Sequence, residues 1–394
     1  MAERLTATVV GGGIAGLASA ISLAQAGWAV TVLERSPAFR EVGAGLAITR
    51  NGMSALEALG VGDAGVAEGY ETVSAGIQDP GGRWLLRIPD TPDVRATTTI
   101  WGIHRQRLHA ALRRAAEAAD NVELVTGAEV STVRPSHPAG EPAALTGQTA
   151  TGQHTSEADL VVAADGIRST VREQLFPHVR PRYSGSTSWR AVIADTASDG
   201  RLVQVWGPGT EFGAVRVSDR EIYWYGYFRH TEGVSFSDEL AAARDHFSGW
   251  SPQVRAIVAA TTASQLMRHD VYHLSGGLAS YIRRRVVMVG DAAHAMLPTS
   301  GQGASSALED GICVGRLIAT PVAAGGSLAA ALAAFDQARR PRCRQLARLS
   351  AITAKFGADL GGGRRQSVRN TLLGLAPAGS LAKAGAPVVR WTAP

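Results

Sequence analysis

Lysine and cysteine are scarce in this chain of 394 residues. Of its 39 basic residues only two are lysine, Lys355 and Lys383, and the other 37 are arginine. The two cysteines, Cys313 and Cys343, offer neither a disulfide framework nor a four-cysteine zinc site. We therefore expect a protein of the reducing cytoplasm with no structural metal. A hydrophobic content of 45% excludes a disordered chain, and the 45 glycines follow no three-residue period, which excludes collagen.

The formal net charge of +5 raises the question of nucleic-acid binding, because clustered cations release counterions from a phosphate backbone. The arginines are dispersed among acidic residues, however, and the one dense run, at 339–344, is typical of a solvated helix face. Residues 9–30 carry no charge and have the length of a membrane span, but the four glycines in the first third argue against a lipid-facing helix. We expect a soluble protein, a monomer or homodimer, that binds neither nucleic acid nor a membrane.

The N-terminal residues predict a strand, a tight turn, a helix and a second strand. Residues 6–10 and 29–33 are short apolar runs, and the helical segment 17–26 ends at Gly27. This order is a βαβ unit, in which the turn places the start of the helix at the end of the first strand.

The turn reads G-x-G-x-x-G at Gly11, Gly13 and Gly16, with Ala15 inside it and Glu34 following 18 residues after the last glycine. The first glycine makes the turn, the second lets the backbone approach a pyrophosphate, and the third lets helix and strand pack closely. Amides at the helix start face the phosphates, and the carboxylate accepts the ribose hydroxyls. The motif predicts a dinucleotide site but leaves FAD and NAD(P) open.

Two later segments each predict a buried strand that runs into an aspartate. Residues 159–164 lead into Asp165-Gly166, and residues 285–289 lead into Gly290-Asp291. A helix from about residue 304 follows the second segment. Open α/β sheets bind ligands at such strand ends, although a helix N-cap is an alternative use of either aspartate.

With Arg105-x-x-Leu108-x-x-x-Leu112, these motifs in this order resemble the FAD-dependent aromatic hydroxylases, single-component flavoprotein monooxygenases that include 4-hydroxybenzoate and salicylate hydroxylases. The resemblance covers nearly the whole chain. It implies an α/β fold with a Rossmann-like FAD-binding domain of the GR2 type, an inserted mixed or antiparallel β-sheet substrate domain and C-terminal helices. The FAD-binding domain would comprise 1–70, 101–180 and 276–340, the substrate domain 71–100 and 181–275, and the C-terminal helical segment 341–394.

The resemblance also implies which residues hold FAD, beyond the fingerprint positions Gly11, Gly13, Ala15 and Gly16. The implied contacts are Glu34 with the adenosine ribose, Arg35 and Val130 with the adenine, Ala47 in the loop 43–47 with the flavin, Arg105 with the ribityl or pyrophosphate region, Asp291 with a ribityl hydroxyl, Pro298, Gly301 and Gly303 with the isoalloxazine carbonyl, and Asp165 with the pyrophosphate and the passing nicotinamide nucleotide.

Other polar residues near these motifs have less specific interpretations. His294 is expected to be packed and hydrogen-bonded rather than catalytic. Arg168 and Arg172 are surface charges or contacts for a nucleotide phosphate. Pro341 is expected in the first turn of a new helix.

The middle of the chain predicts strands at 202–206, 211–217 and 222–228, the last two joined as a hairpin. A two-residue loop would pair Arg216 with Tyr223 and Ala214 with Tyr225. One face would then carry Arg216, Tyr223 and Tyr225, which are our candidate substrate-orienting residues because a guanidinium binds a carboxylate or phenolate. The alternative is a solvent-exposed face with cross-strand Arg–Tyr stacking.

The implied reaction is hydroxylation of a small aromatic substrate, which is a phenol, an aromatic acid or a heteroaromatic ring. It uses FAD, O2 and NADH or NADPH as a transient co-substrate, and it proceeds through a flavin C4a-hydroperoxide. The alternatives are epoxidation or oxygenation of an indole or a polycyclic natural product, a flavin oxidoreductase without oxygen insertion, and a non-catalytic FAD-binding protein. A flavin halogenase is disfavoured because the chain lacks Trp-x-Trp-x-Ile-Pro and has no lysine before Lys355.

Overall fold

A computed structural model describes residues 4–39, 44–150, 152–195, 200–377 and 379–394. Gly43, in the loop expected to lie against the flavin, is outside the described residues. The strands of the described part are β1 Thr6–Val10, β2 Ala29–Glu34, β3 Gly45–Thr49, β4 Gly69–Gln78, β5 Trp84–Arg87, β6 Thr99–His104, β7 Val122–Thr126, β8 Glu129–Arg134, β9 Ala143–Thr149, β10 Gly152–Ala158, β11 Leu160–Ala163, β12 Arg182–Ala194, β13 Leu202–Gly207, β14 Thr210–Ser218, β15 Glu221–Arg229, β16 Met267–His273, β17 Ile282–Arg283 and β18 Val286–Met288.

The helices lie between these strands and after them. They are α1 Ile14–Gln25, α2 Arg50–Ala58, α3 Gly62–Ala67, α4 Pro92–Thr98, α5 Arg105–Glu117, α6 Thr170–Leu175, α7 Glu239–His246, α8 Pro252–Ala259, α9 Asp291–His294, α10 Gly303–Cys313, α11 Thr320–Ala323, α12 Leu328–Phe356, α13 Arg364–Leu375 and α14 Ser380–Val389. A 3-10 turn covers Pro298–Ser300, and a π-helical turn, Val314–Ala319, joins α10 to α11. No described helix is both long and apolar enough to span a membrane.

A six-stranded sheet in the order β17-β18-β11-β1-β2-β7 forms the first layer. Its strands are parallel except β17, which pairs antiparallel with β18. The predicted βαβ unit is confirmed by β1, α1 and β2, and both later strands are confirmed by β11 and β18. The carboxyl ends of these parallel strands therefore meet at one edge of the sheet, next to the start of α1.

A larger sheet in the order β16-β12-β15-β14-β13-β4-β6-β3, with β5 beside β4, forms the second layer, and a three-stranded sheet contains β8, β9 and β10. One face of the large sheet buries Trp189, Phe212 and Trp224 against α7 and α8, where Phe247 and Ile257 complete an apolar core. We call this the outer face. The opposite, inner face lines a cavity that it shares with the glycine-rich turn after β1.

The hairpin of β14 and β15 differs from the predicted register. Ser218 pairs with Glu221 as expected, but Arg216 pairs with Ile222, and Val217 is the extra residue of a bulge between them. Every pair beyond the bulge is displaced by one residue. Since neighbouring residues of a strand point to opposite faces, the predicted pairings of Arg216 and Ala214 with tyrosines are wrong.

Two predictions for the C-terminal helices are also wrong. Helix α12 runs without interruption through Pro341, which is in its interior and does not begin a new helix. The arginine run at 339–344 is not simply a solvated face, because Arg339 is only 1% exposed. Its guanidinium lies against α10, as described below.

Candidate flavin and substrate site

The turn after β1 requires glycine at two of its positions. Gly11 has a φ of +102°, and a Cβ added to it would lie 2.5 Å from the carbonyl oxygen of Ala164. A Cβ at Gly16 would lie 1.9 Å from the carbonyl oxygen of Gly11. These close approaches bring the first turn of α1 to the strand ends, so that Gly13 and Ala15 line the cavity.

Glu34 ends β2 beside this turn. Its carboxylate accepts hydrogen bonds from the backbone N–H groups of Gly12 and Ser36, each at 2.8 Å. The N–H of Ala128 donates to the carbonyl oxygen of Glu34, so the start of β8, with the buried Val130, lies next to the end of β2. Arg35 is exposed at the same edge. The structure therefore collects at one place the residues that the resemblance assigned to the adenosine.

The cavity between the two layers has a volume of about 480 Å³. Eight of the predicted cofactor residues line it: Gly13, Ala15, Ala47, Arg105, Asp291, Pro298, Gly301 and Gly303. The other six do not: Gly11, Gly16, Glu34, Arg35, Val130 and Asp165. The first set surrounds the space between the sheets, and the second includes the turn glycines and the adenosine edge.

The segment from Pro298 to Gly303 forms the floor of the cavity and leaves open space above its glycines. A Cβ added to Gly301 or Gly303 would meet no atom within 4 Å. The neighbouring Thr299 is fixed, since its hydroxyl donates to the carbonyl oxygen of Ser350 at 2.6 Å. A flat ring fits against such a floor, and these glycines give it access to backbone amides.

Asp165 and Asp291 occupy different environments. Asp165 Oδ2 accepts a hydrogen bond from the N–H of Val171 at 3.0 Å, whereas its buried Oδ1 has no partner among the described residues. Burial raises the pKa of Asp165. Asp291 is exposed and begins α9, whose N-cap is Gly290. The N-cap alternative is wrong for both aspartates, because Ser169 is the N-cap of α6 and Gly290 is that of α9. Asp165 nevertheless supports the first turn of α6 through its hydrogen bond with Val171.

His294 is packed and hydrogen-bonded, as predicted. Its Nε2 lies 2.5 Å from Asp310 Oδ2, which also accepts the N–H of Gly290 at 2.8 Å. Arg339 Nε donates to the other carboxylate oxygen of Asp310 at 2.7 Å. Burial opposes the charge on Asp310, but His294 and Arg339 outweigh it and lower the pKa of Asp310 to about 2. These contacts hold the backbone at Gly290, at the edge of the cavity.

Glu309 completes this buried ionic cluster, which we define as His294, Glu309, Asp310, Arg339 and Arg342. Glu309 accepts hydrogen bonds from both arginines at 2.5 to 2.6 Å. Asn51 also donates to Glu309, at 2.6 Å. The cluster thus joins α9, α10 and α12 beneath the floor, and Asn51 connects it to α2.

Three potential metal ligands lie within 4.8 Å of one another, namely His294, Asp310 and Cys343. Arg339 donates to both Asp310 and Cys343, at 2.7 and 3.5 Å. A guanidinium this close opposes a second cation, and it occupies the acceptors that a metal would need. The group is therefore a hydrogen-bonded support.

Arg172 is neither a surface charge nor a contact for a passing phosphate. Its side chain is buried, 2% exposed, and donates to the carbonyl oxygens of Ala292 and Ile167. It therefore ties the segment after β11 to α9. Arg168 is exposed.

The inner face of the large sheet forms the roof of the cavity. It carries Tyr223, Tyr225 and Tyr227 on β15, with Arg190 on β12 and Glu211 on β14. Arg190 pairs with Tyr225, and its Nε donates to Ser188 Oγ at 3.2 Å. Burial raises the pKa of Tyr223, an effect that the nearby Arg190 and Arg105 oppose.

Arg216 lies on the outer face and not with the tyrosines. It forms an ion pair with Asp195, and its guanidinium lies 5.0 Å from the centre of the Tyr70 ring. The bulge at Val217 separates Arg216 from the cavity. Arg190 provides the guanidinium of the roof instead.

Glu211 and Gln204 also line the cavity, although neither was predicted from the sequence as a site residue. Glu211 pairs with Tyr227 across the strands, so that the observed register places the acid on the tyrosine face. The sequence did contain a signal for Glu211, which lies two residues before Gly213, the cross-strand partner of Tyr225, and therefore on the same face. The bulge at Val217 shifts the register by one residue, so this relation could not be recognised from the sequence.

A family model described as an FAD binding domain matches residues 4–350. The chain is 35% identical to an aurachin C monooxygenase/isomerase of Stigmatella aurantiaca over 87% of each chain. It is 31% identical to a 2-heptyl-3-hydroxy-4(1H)-quinolone synthase of Pseudomonas aeruginosa over 90% of each chain. Klebsiella pneumoniae HpxO complexed with FAD and uric acid superposes with a TM-score of 0.84 at 21% identity, over 98% of this chain and 96% of that one.

Proposed function

The chain belongs to the FAD-dependent aromatic hydroxylases and is an FAD-dependent monooxygenase, and from that premise we propose that it hydroxylates a small nitrogen heteroaromatic ring of the quinolone type. NADH or NADPH serves as a transient co-substrate, and O2 supplies the oxygen atom. The observation that carries this proposal is the cavity of about 480 Å³ with a glycine floor and an aromatic roof, which is in the usual size range for small-molecule sites. Two relatives that match most of the chain are named for quinolone or aurachin chemistry.

The residues present fit FAD. The glycine turn admits no side chain at Gly11 or Gly16, and the floor glycines leave space that a Cβ would fill. The buried Oδ1 of Asp165 lacks a described partner close to the strand end that leads to the cavity. We propose that Glu34, Arg35 and Val130 hold the adenosine and that the amides at the start of α1 face the pyrophosphate.

The flavin end of the cofactor would lie in the cavity. We propose that Arg105 and Asp291 bind the ribityl chain and that Ala47, Pro298, Gly301 and Gly303 surround the ring. Bound FAD supplies the redox chemistry and the activation of oxygen.

The protein's own contribution is to orient the substrate and exclude water. The segments 71–100 and 181–275, with β3 and β6, provide the roof, and Arg190 offers its guanidinium to a carbonyl oxygen of the substrate. Tyr223 and Tyr225 provide flat apolar surfaces and hydroxyl groups. Residues 341–394 form the C-terminal helical segment together with the first part of α12. Ser350 on α12 supports the floor by accepting the hydrogen bond from Thr299.

The proposal is tested with purified protein and a substrate panel. The protein should be yellow and release FAD on denaturation. NADH and NADPH oxidation is then measured with 4-hydroxyquinolines, phenols, aromatic acids and indoles, with hydrogen peroxide measured in parallel to separate hydroxylation from uncoupled oxidation. Coupled oxygen insertion into the quinolines is expected. Coupling only with aromatic acids, or a protein that binds no FAD, would overturn the proposal.

A further inference from the structure

Glu211 is a buried carboxylate without a nearby cation on the roof of the cavity. It is 0% exposed, and no salt bridge involves it among the described residues. Its Oε1 accepts hydrogen bonds from the hydroxyl of Tyr225 at 3.0 Å and from Nε2 of Gln204 at 2.9 Å. Its Oε2 has no partner among the described residues. A buried acid without a counter-ion is costly to keep, and such groups concentrate at functional sites.

Gly213 allows Tyr225 to reach this carboxylate. The two residues are cross-strand partners, and a Cβ on Gly213 would lie 2.5 Å from the hydroxyl oxygen of Tyr225. The tyrosine ring therefore lies flat across β14, and its hydroxyl ends at Glu211. Glycine at this position leaves room for the ring, which any larger side chain would displace.

The hydrogen-bond directions decide what Tyr225 offers to a ligand. An ionised carboxylate only accepts, so the Tyr225 hydroxyl must donate to Glu211. Burial and the adjacent Glu211 raise the pKa of Tyr225 well above its usual value, so the tyrosine keeps its proton. Gln204 Nε2 also lies 3.3 Å from the Tyr225 oxygen as a donor. That oxygen keeps a lone pair for an N–H or O–H group of the ligand.

We propose that Glu211 acts through Tyr225 as a positioning residue that makes the roof a hydrogen-bond acceptor, and so selects aromatic substrates that present a ring N–H or a phenolic O–H there. This inference rests on the proposed function and specifies its substrate class. Protonated Glu211 can donate to Tyr225, whose hydroxyl then turns to donate to the ligand. The selection is therefore reversed when Glu211 is protonated.

The groups around Glu211 place this change in an accessible pH range. Burial raises the pKa of Glu211 to about 7, against the opposing effect of the hydrogen bonds from Tyr225 and Gln204, and Asp359 adds to the rise. The facing groups are Tyr225 and Tyr227 on β15, Gln204 and Trp206 on β13, and Gly357 and Asp359 after α12. Of these, Asp359 is the other carboxylate, and burial raises its pKa too.

The test is isothermal titration of the FAD-loaded protein with two ligands, 4(1H)-quinolone and its N-methyl derivative. The dissociation constant of the N–H ligand should fall about tenfold or more between about pH 5.5 and about pH 8.5, and that of the N-methyl ligand should not fall. At the higher pH the N–H ligand should bind about tenfold more tightly than the N-methyl ligand.

Three variants separate the roles. Glu211→Gln keeps an acceptor for Tyr225 but cannot ionise, so the pH dependence should disappear. Tyr225→Phe should abolish the preference for N–H at every pH. Tyr227→Phe is the matched control, because its hydroxyl lies on the same strand and face but bonds Ser184 at 3.4 Å, and both effects should persist.

The outcomes distinguish this inference from the proposed function. A pH dependence that survives Glu211→Gln, or an N–H preference that survives Tyr225→Phe, would overturn the inference while quinolone binding upheld the function. Absence of binding by both ligands in a yellow, FAD-loaded protein would overturn the quinolone proposal and this substrate class together. A protein without FAD would contradict the proposed function at its cofactor.

Discussion

Two regions with buried acids, one beneath the floor of the cavity and one on its roof, differ in how the charge of the acids is compensated. Under the floor, Glu309 and Asp310 are hydrogen-bonded by Arg339, with Arg342 and His294 completing the ionic cluster. On the roof, Glu211 is as deeply buried but has only neutral hydrogen-bond donors, Tyr225 and Gln204. The first arrangement neutralises its charge permanently, whereas the second leaves the charge free to change.

The difference shows that a buried acid can either stay ionised and hold the backbone in place or change its charge with pH. The pKa of Asp310 is held at about 2, so this carboxylate stays ionised throughout the physiological range and keeps the backbone at Gly290 in place. The pKa of Glu211 is about 7, so small changes in pH alter its charge. In the site that we propose, the ionised Asp310 holds the backbone beside the cofactor, and the titratable Glu211 affects recognition of the ligand.

The largest expected effect comes from removing the arginine that pairs with the two carboxylates beneath the floor. Replacing Arg339 by Met leaves two buried carboxylates short of a cation and should lower the free energy of unfolding by about 3–5 kcal/mol. Urea denaturation of the variant and the parent measures this loss, and FAD retention should fall with it.

The matched control is the next residue, Arg340→Met. Its partner Asp336 is on the same helix, and the Arg340 side chain is 27% exposed, so the loss should stay below about 1 kcal/mol. Equal losses at the two positions would show that the floor does not depend on compensation of Glu309 and Asp310.

The second effect concerns Glu211 on the roof and the way in which it makes the free energy of unfolding depend on pH. Because the folded pKa of Glu211 is raised above its unfolded value, its protonated form favours folding at low pH, and that contribution is lost as pH rises through about 7. Between about pH 5 and pH 8 the parent should lose roughly 2.5 kcal/mol more than Glu211→Gln. Urea denaturation without ligand, as a function of pH, measures the difference.

The contrast with Asp310 is measured on the carboxyl groups themselves, by infrared spectroscopy of the parent with Glu211→Gln and Asp310→Asn as references. Between about pH 5 and pH 8 the carboxyl signal lost in Glu211→Gln should change with pH, whereas the signal lost in Asp310→Asn should not, because Asp310 is ionised throughout this interval. Parallel pH profiles for the Glu211 and Asp310 signals would remove the distinction between roof and floor.

The sequence predicted the floor side of the site better than the roof. The glycines of the first turn and the strand ends at Asp165 and Asp291 follow local rules, in which a short motif determines a close backbone approach. These rules need no knowledge of long-range contacts. Arg339 was misassigned because its partners lie about thirty residues earlier in the chain, on α10.

The roof depends on register, which a single residue changes. The three strands were predicted correctly, but the bulge at Val217 exchanges the faces of Arg216 and its neighbours relative to the tyrosines. Propensity and alternation do not locate such a bulge. Burial of Glu211 likewise follows from the packing of β13 and of the chain after α12, which has no local signal.

A third, smaller effect is expected from the glycine beneath Tyr225. Gly213→Ala would place a Cβ 2.5 Å from the Tyr225 ring and hydroxyl and should displace the ring from Glu211. Affinity for 4(1H)-quinolone should fall about tenfold at high pH, and its pH dependence should vanish. Titration calorimetry measures both. In Gly361→Ala, where an added Cβ meets no atom within 4 Å, neither should change.

The smallest effect is expected at Arg216, which the sequence placed beside the tyrosines. Because Arg216 lies on the outer face and pairs with Asp195, Arg216→Met should change quinolone affinity by less than about twofold while lowering stability by about 1 kcal/mol. Arg190→Met, on the inner face, should weaken binding about tenfold, since a charged donor to the ligand is lost. Calorimetry on both variants compares two arginines of one sheet. A larger loss of affinity at Arg216 than at Arg190 would contradict the observed register and return the substrate contact to the predicted face.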